Sequence, residues 1–77
     1  MYDYSKLRGR IVEKYGTLSN FAEALGTSLV IVSQKMNNKT DFSRADIVKW
    51  SNLLDISSTE YDAYFFDYRV LSSKPRR

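Results

Sequence analysis

The sequence predicts a small all-α domain of five helices. Its 77 residues correspond to a single domain, since domains average about 100–200 residues. Apolar side chains recur three and four positions apart through most of the chain, which is the spacing of amphipathic helices. The single proline is Pro75, so no proline interrupts the chain before it. We assign residues 1–70 to one domain and residues 71–77 to a flexible basic tail.

The first two helices are marked by capping residues and glycines. Residues 4–15 carry apolar side chains on one face, Asp3 can cap the start of this helix, and Gly16 stands where a helix-ending glycine belongs. Thr17 can cap a second helix of about eight residues, which ends at Gly26. These signals predict two helices before residue 27.

The third predicted helix covers residues 29–37 and has an ambiguous sequence. Thr27 or Ser28 can cap it. Residues 29–32 are rich in β-branched side chains, which lower helix propensity, so a strand is the competing prediction there. We favour a helix, because Gly26 and Ser28 stand where a helix-turn-helix has its turn and the start of its second helix.

The fourth helix has the clearest start in the chain. Ser43 can act as its N-cap and Asp46 as the partner in a capping box, and the helix runs to about Leu54. Ser57 and Glu60 repeat this pattern at the start of a fifth helix. Two well-marked helices are therefore predicted in the second half of the chain.

Residues 66–70 alternate between apolar and polar side chains, as in a short strand. We expect this segment to pair with its symmetry mate in a dimer, because an unpaired apolar strand is a liability in a monomer. The aromatic residues from Tyr61 to Tyr68 are interpreted as core and dimer contacts. Base stacking is the alternative, but the neighbouring Asp62 and Asp67 would repel phosphate.

The composition excludes several functional classes. The chain has no Cys and no His, so it lacks disulfides, thiolate metal sites and the usual acid–base group at neutral pH. We therefore expect no enzymatic activity, no cofactor and no metal site. The longest apolar runs have four residues, against about 18 in a membrane helix, and the N-terminus has no apolar signal segment. We expect a cytoplasmic protein without membrane contact.

Charge is distributed unevenly along the chain. Residues 1–40 carry six basic and three acidic side chains, whereas residues 41–70 carry three basic and six acidic ones. The last seven residues add Lys74, Arg76 and Arg77. A basic half and a basic tail favour a polyanionic partner on one side of the molecule, although scattered solvated charge explains the same totals.

The stretch from Leu18 to Asn37 meets the demands of a helix-turn-helix. Two short helices can cross closely only where a small residue stands at their contact, and Ala22 has that position. Gly26 opens the turn four residues later. Val32 stands six residues past this glycine, where an apolar side chain must anchor the second helix.

This stretch resembles the helix-turn-helix of the phage Cro and repressor superfamily. The phrases MYDYSKLRGRIVEKYGT, ALG, KMNNKTDFS and AYFF are similar to a small Cro-like family from phages of Gram-positive bacteria. The resemblance covers the chain to about residue 70 and implies a sequence-specific DNA-binding regulator. Such a protein would act in the cytoplasm of the bacterial host.

The resemblance implies two sets of DNA contacts around the third helix, which would lie in the major groove. The residues expected to face bases are Ser28, Leu29, Val30, Ile31, Ser33 and Gln34. The residues expected to reach phosphates are Ser19, Asn20, Lys35, Asn37, Asn38, Lys39 and Arg44. Arg8, Arg10 and Lys14 are interpreted as surface charge.

The chemistry of the base-facing set is unusual. Gln34 is its one long amide and can pair with adenine. Leu29, Val30 and Ile31 cannot hydrogen-bond a base, so they are limited to contacts with thymine methyl groups. Alternatively, Leu29 or Ile31 packs on a neighbouring helix, and Gln34 is merely solvated.

Two functions follow from these observations. The leading hypothesis is a Cro-like phage repressor that binds a pseudo-palindromic operator in double-stranded DNA as a homodimer, which forms in solution or only on DNA. The alternative is a protein-interaction module or co-repressor that binds a partner repressor through residues 29–31. Salt-sensitive binding to duplex DNA would favour the first hypothesis, and DNA binding that needs a second protein would favour the other.

Overall fold

A computed structural model describes residues 1–69 and shows an all-α fold. Its helices are α1 (Ser5–Tyr15), α2 (Leu18–Leu25), α3 (Leu29–Met36), α4 (Arg44–Leu54) and α5 (Tyr61–Phe65), with a 3-10 turn at Ser58–Glu60 before α5. The predicted fold class and the five helices are confirmed. None of the helices within residues 1–69 has the length and apolar character that crossing a bilayer requires.

The helix starts follow the predicted capping residues closely. The hydroxyl groups of Thr17 and Ser28 accept hydrogen bonds from backbone N–H groups in the first turns of α2 and α3. Ser43 and Asp46 form the predicted capping box of α4, with distances of 3.0 and 2.9 Å. Two helix starts differ. The helix α1 begins at Ser5, whose N–H donates to the Asp3 carboxylate at 2.9 Å. The capping box of Ser57 and Glu60 starts the 3-10 turn, and α5 begins only at Tyr61.

The core lies where α1, α2, α4 and α5 meet, and edge-to-face aromatic contacts dominate it. The ring of Phe42, in the connection before α4, lies 4.7 Å from the ring of Trp50 and 5.2 Å from that of Phe65. Trp50 in turn packs 4.9 Å from Phe21 of α2. Edge-to-face geometry is the favourable arrangement for such rings. The loop aromatic Phe42 therefore packs between α4 and α5, and Trp50 extends these ring contacts to α2.

The predicted strand at residues 66–70 is wrong for the described part of that segment. Tyr68 forms an isolated antiparallel bridge with Tyr2, and no longer strand occurs within residues 1–69. The backbone N–H groups of Asp3 and Arg69 donate to the carbonyl groups of Asp67 and Met1, at 2.8 and 2.7 Å. The chain's own N-terminal segment thus takes the place expected for a symmetry mate. Val70 and the predicted tail, residues 71–77, lie outside the described residues.

Candidate functional site

Three consecutive aliphatic side chains of α3 remain on the protein surface. Leu29, Val30 and Ile31 are 45%, 63% and 44% exposed, and we call Leu29 and Val30, which line one groove, the aliphatic patch. The core-facing side of α3 consists of Val32, which is fully buried, and Met36. Ile31 lies on another side of the helix, in a small groove that it shares with Lys49 and Trp50 of α4, which agrees with the alternative that one of these residues packs on a neighbouring helix. Leu29 and Val30 are not among the buried residues of the core.

A shallow open groove of about 300 Å³ continues from the aliphatic patch along α3. We call it the α3 groove, and its lining residues are Leu29, Val30, Ser33, Gln34, Asn37 and Lys39. The Asn37 side-chain amide donates to the Ser33 hydroxyl at 3.1 Å, which orders the middle of the groove. The structure thus brings predicted base-facing and phosphate-facing residues together on one surface.

Lys35, predicted to contact phosphate, is paired inside the protein. Its ammonium lies 3.1 Å from the Asp46 carboxylate and donates to the carbonyl of Asp41 at 3.2 Å. Burial raises the pKa of Asp46, but hydrogen bonds from Ser43 and Lys35 outweigh it and leave that pKa below its ordinary value. The carboxylate is therefore charged at neutral pH and neutralises Lys35.

Two asparagines predicted to contact phosphate also have internal partners. Asn38 accepts from the N–H of Tyr2 at 2.8 Å and donates to its carbonyl at 2.9 Å, so its amide pairs with the backbone as a neighbouring strand would. Asn20 donates to the carbonyl of Tyr15 at 2.8 Å and satisfies the end of α1. Both side chains hold the fold together, a role that sequence analysis missed.

A signal for the role of Asn38 exists in the sequence. Its φ of 62° lies in the left-handed region, which Asn tolerates better than most residues. An Asn just beyond a helix end is consistent with such a position. Its partner, Tyr2, is 36 positions away, and nothing in the local pattern identifies it.

The remaining predicted phosphate contacts lie at the starts of α2 and α4 and just after α3. Ser19, Lys39 and Arg44 are exposed. Arg44 lines a second groove of about 450 Å³ together with Val48 and Phe66, among others. This groove lies on a different surface from the aliphatic patch, since the two share no lining residue.

The aromatic cluster from Tyr61 to Tyr68 divides into two parts. Tyr64 and Phe65 are buried in the core, as predicted. Phe66 and Tyr68 are about half exposed, and Tyr68 packs edge-on against Tyr2 at 5.1 Å. The dimer role predicted for this cluster stays a prediction.

The chain matches the model of one protein family over residues 1–68, nearly all of the described chain. The chain belongs to the DUF739 family. That family is described as a protein of unknown function. No curated protein matches this DUF739 chain.

A solved structure similar to this DUF739 chain comes from a phage. It is the solution structure of the modulator of repression (MOR) of the temperate bacteriophage TP901-1 from Lactococcus lactis. The two sequences are 42% identical, and the match covers 86% of this chain and 89% of the other, with a TM-score of 0.78. At this identity and coverage the likeness extends to most of the chain.

Proposed function

We propose that this chain is a phage regulatory protein that binds a repressor through the aliphatic patch and so modulates repression. One observation carries the proposal: Leu29 and Val30 are exposed in one groove of a helix whose core-facing positions are filled by Val32 and Met36. The solved relative is, by its own description, a modulator of repression. Regulation through a protein partner is thus the function that fits both observations.

The aliphatic patch has the character of a protein-binding surface. Contiguous apolar side chains on the surface of a small protein mark interaction sites, whereas scattered ones do not. Interfaces between proteins have a core depleted in charge and a polar rim. The patch has no charged side chain, and the polar residues Ser33, Gln34 and Asn37 follow it along the groove.

Direct DNA binding is the second candidate, and Gln34 favours it. This amide is exposed in the same groove and has the length to pair with an adenine. The small number of side chains left to contact phosphate weighs against DNA binding, because affinity for a duplex depends on several cations that contact phosphates. Lys35 is already neutralised by Asp46, and Asn20 and Asn38 are bound to the backbone. In this second function the protein would be a Cro-like homodimer on a pseudo-palindromic operator.

Neither candidate function requires catalysis or a cofactor, and both place the protein in the cytoplasm of a bacterial host. Within residues 1–69, no three His, Cys, Asp or Glu side chains are grouped so as to hold a metal ion. The proposed activity is therefore recognition alone.

The substitution Val30→Lys separates the two candidate functions, because it moves them in opposite directions. An ammonium at the centre of the patch would be buried unpaired in a protein interface, which we expect to weaken repressor binding at least tenfold. The same ammonium would face phosphates in a DNA complex and would raise duplex affinity. The measurement is titration calorimetry with the repressor encoded in the same genome, alongside gel-shift assays with random-sequence duplexes.

Val12→Lys is the matched control, since Val12 is another exposed valine, at 48% against 63% for Val30, and lies on α1. It should leave both affinities unchanged. Repressor binding that survives Val30→Lys would overturn the proposed function. Salt-sensitive binding of the protein alone to duplex DNA, strengthened by Val30→Lys, would establish the second candidate instead.

A further inference from the structure

The α3 groove is chemically graded along its length. Its walls are aliphatic at Leu29 and Val30, neutral and polar in the middle, and cationic at Lys39. In the part of the chain that the structure describes, no carboxylate lines this groove. With a rise of 1.5 Å per residue, the axial distance from Leu29 to the end of α3 is about 12 Å. The two chemically distinct ends of the groove are thus about two helical turns apart.

Lys39 is a free cation within the described chain. Among residues 1–69 its ammonium has no ion-pair partner, whereas the ammonium of Lys35 is held by Asp46. A free ammonium at the rim of an apolar surface attracts an opposite charge and discourages a like one. This end of the groove therefore discriminates between partners by charge.

The backbone of Lys39 is fixed beside the groove. Its N–H donates to the carbonyl of Gln34 at 2.8 Å, which closes the turn after α3. The preceding residue, Asn38, is held by both of its hydrogen bonds to Tyr2. Only the flexible side chain of Lys39 must be ordered when a partner binds, so a charge pair at this position loses less entropy than one on a mobile loop.

We infer that Lys39 selects the partner: the segment that docks in the α3 groove is a helix with an apolar side chain on the aliphatic patch and a carboxylate on Lys39. Such a helix carries Asp or Glu about seven residues from its apolar anchor, since seven residues rise about 10 Å. This inference rests on the proposed function and specifies the chemistry of the repressor surface. It favours a protein over DNA, because one cation beside an apolar wall matches one carboxylate better than a row of phosphates.

The test compares Lys39→Gln, Lys39→Arg and the wild type in binding the repressor encoded in the same genome, at about 50 mM and about 300 mM salt. We expect Lys39→Gln to weaken binding about fivefold at low salt, as for a partly exposed ion pair, and much less at high salt, where screening is strong. Lys39→Arg keeps the charge and should bind within about twofold of the wild type. Lys6→Gln, on the exposed surface of α1, is the control and should change nothing.

Charge reversal identifies the partner residue. Lys39→Glu should weaken binding further, and exchanging the matching Asp or Glu of the repressor for Lys should restore it. Binding of Lys39→Gln equal to the wild type, while Val30→Lys disrupts the complex, would overturn this inference and leave the proposed function intact. A loss that is equal at both salt concentrations would also overturn it, because a charge pair is screened. Binding unaffected by Val30→Lys would overturn the proposed function itself.

Discussion

The neighbouring helices α2 and α3 have the same length and similar caps but use their apolar residues differently. Both have eight residues, and both start with a hydroxyl side chain that accepts a backbone N–H. In α2 the large apolar residues point inward, with Phe21 fully buried. In α3, Val32 and Met36 fill the core while three further aliphatic residues stay outside. The two helices therefore differ in how much apolar surface they leave exposed to solvent.

The largest expected effect tests this contrast through stability. Phe21→Ala should destabilise the protein by about 3–5 kcal/mol, since it empties a fully buried aromatic site. Val30→Ala should change the free energy of unfolding by no more than about 0.5 kcal/mol, because Val30 is mostly exposed. Urea unfolding followed by circular dichroism measures both. A destabilisation above about 1 kcal/mol for Val30→Ala would show that the patch contributes to the core.

A second, smaller effect concerns the polar end of α3. Asn38→Gly should destabilise the fold by about 1–2 kcal/mol, because it removes two hydrogen bonds to Tyr2 while glycine tolerates the positive φ. Asn37→Ala is the neighbouring control and should cost less, since its bond to Ser33 is exposed. Thermal melting of both variants checks this. If Asn38→Gly melted at the same temperature as the wild type, the hydrogen bonds of Asn38 would not contribute to stability.

The third effect appears at acid pH and tests the pairing of Lys35. Because the folded pKa of Asp46 is lowered, its stabilisation is complete above the unfolded pKa of about 3.9 and is lost as the pH falls through the folded value. Asp46→Asn should cost about 1 kcal/mol or less at pH 6 and nothing at pH 2. Asp62→Asn, on the exposed surface of α5, is the control for urea unfolding at both pH values. An equal cost of Asp46→Asn at both pH values would exclude a charge effect.

The smallest effect lies on the buried side of α4. Ser51 is 1% exposed, and its hydroxyl has no hydrogen-bond partner among residues 1–69. Ser51→Ala removes this buried polar atom and raises helix propensity, so it should stabilise the protein by about 0.5–1 kcal/mol. Calorimetric melting measures the gain. A loss of stability would show that the hydroxyl is satisfied by a buried water.

The helices were predictable from the sequence because their determinants are local. Caps such as Ser28 and the Ser43–Asp46 pair act within four residues, and glycines mark the ends of α1 and α2. The partners of Asn38 and Tyr68 were not predictable, because both contact Tyr2 across a long stretch of chain. The strand at 66–70 was inferred from alternation alone, which does not identify a partner.

The sequence predicted which residues form the candidate surface, but it did not predict which of their charges are already paired. Spacing from Gly26 placed residues 28–34 on a helix, and the structure exposes Leu29–Ile31 there. The same spacing could not reveal that Lys35 faces Asp46, because the two lie on different helices. Because Lys35 is paired with Asp46, α3 has one cation fewer for contacts with phosphate, which weighs against DNA as its partner.

The hydrogen bonds that join the N-terminal residues to Asn38 and to residues 67 and 69 have a consequence for the order of folding. Contacts between successive helices form early because they close short loops, whereas a bond between positions 3 and 67 closes nearly the whole chain. These bonds should therefore form after the rate-limiting step, so weakening them should speed unfolding and leave the folding rate unchanged. They should also be among the first hydrogen bonds to open in native-state hydrogen exchange, before those within the helices. The closed ends are therefore expected to have a shorter lifetime than the helical core.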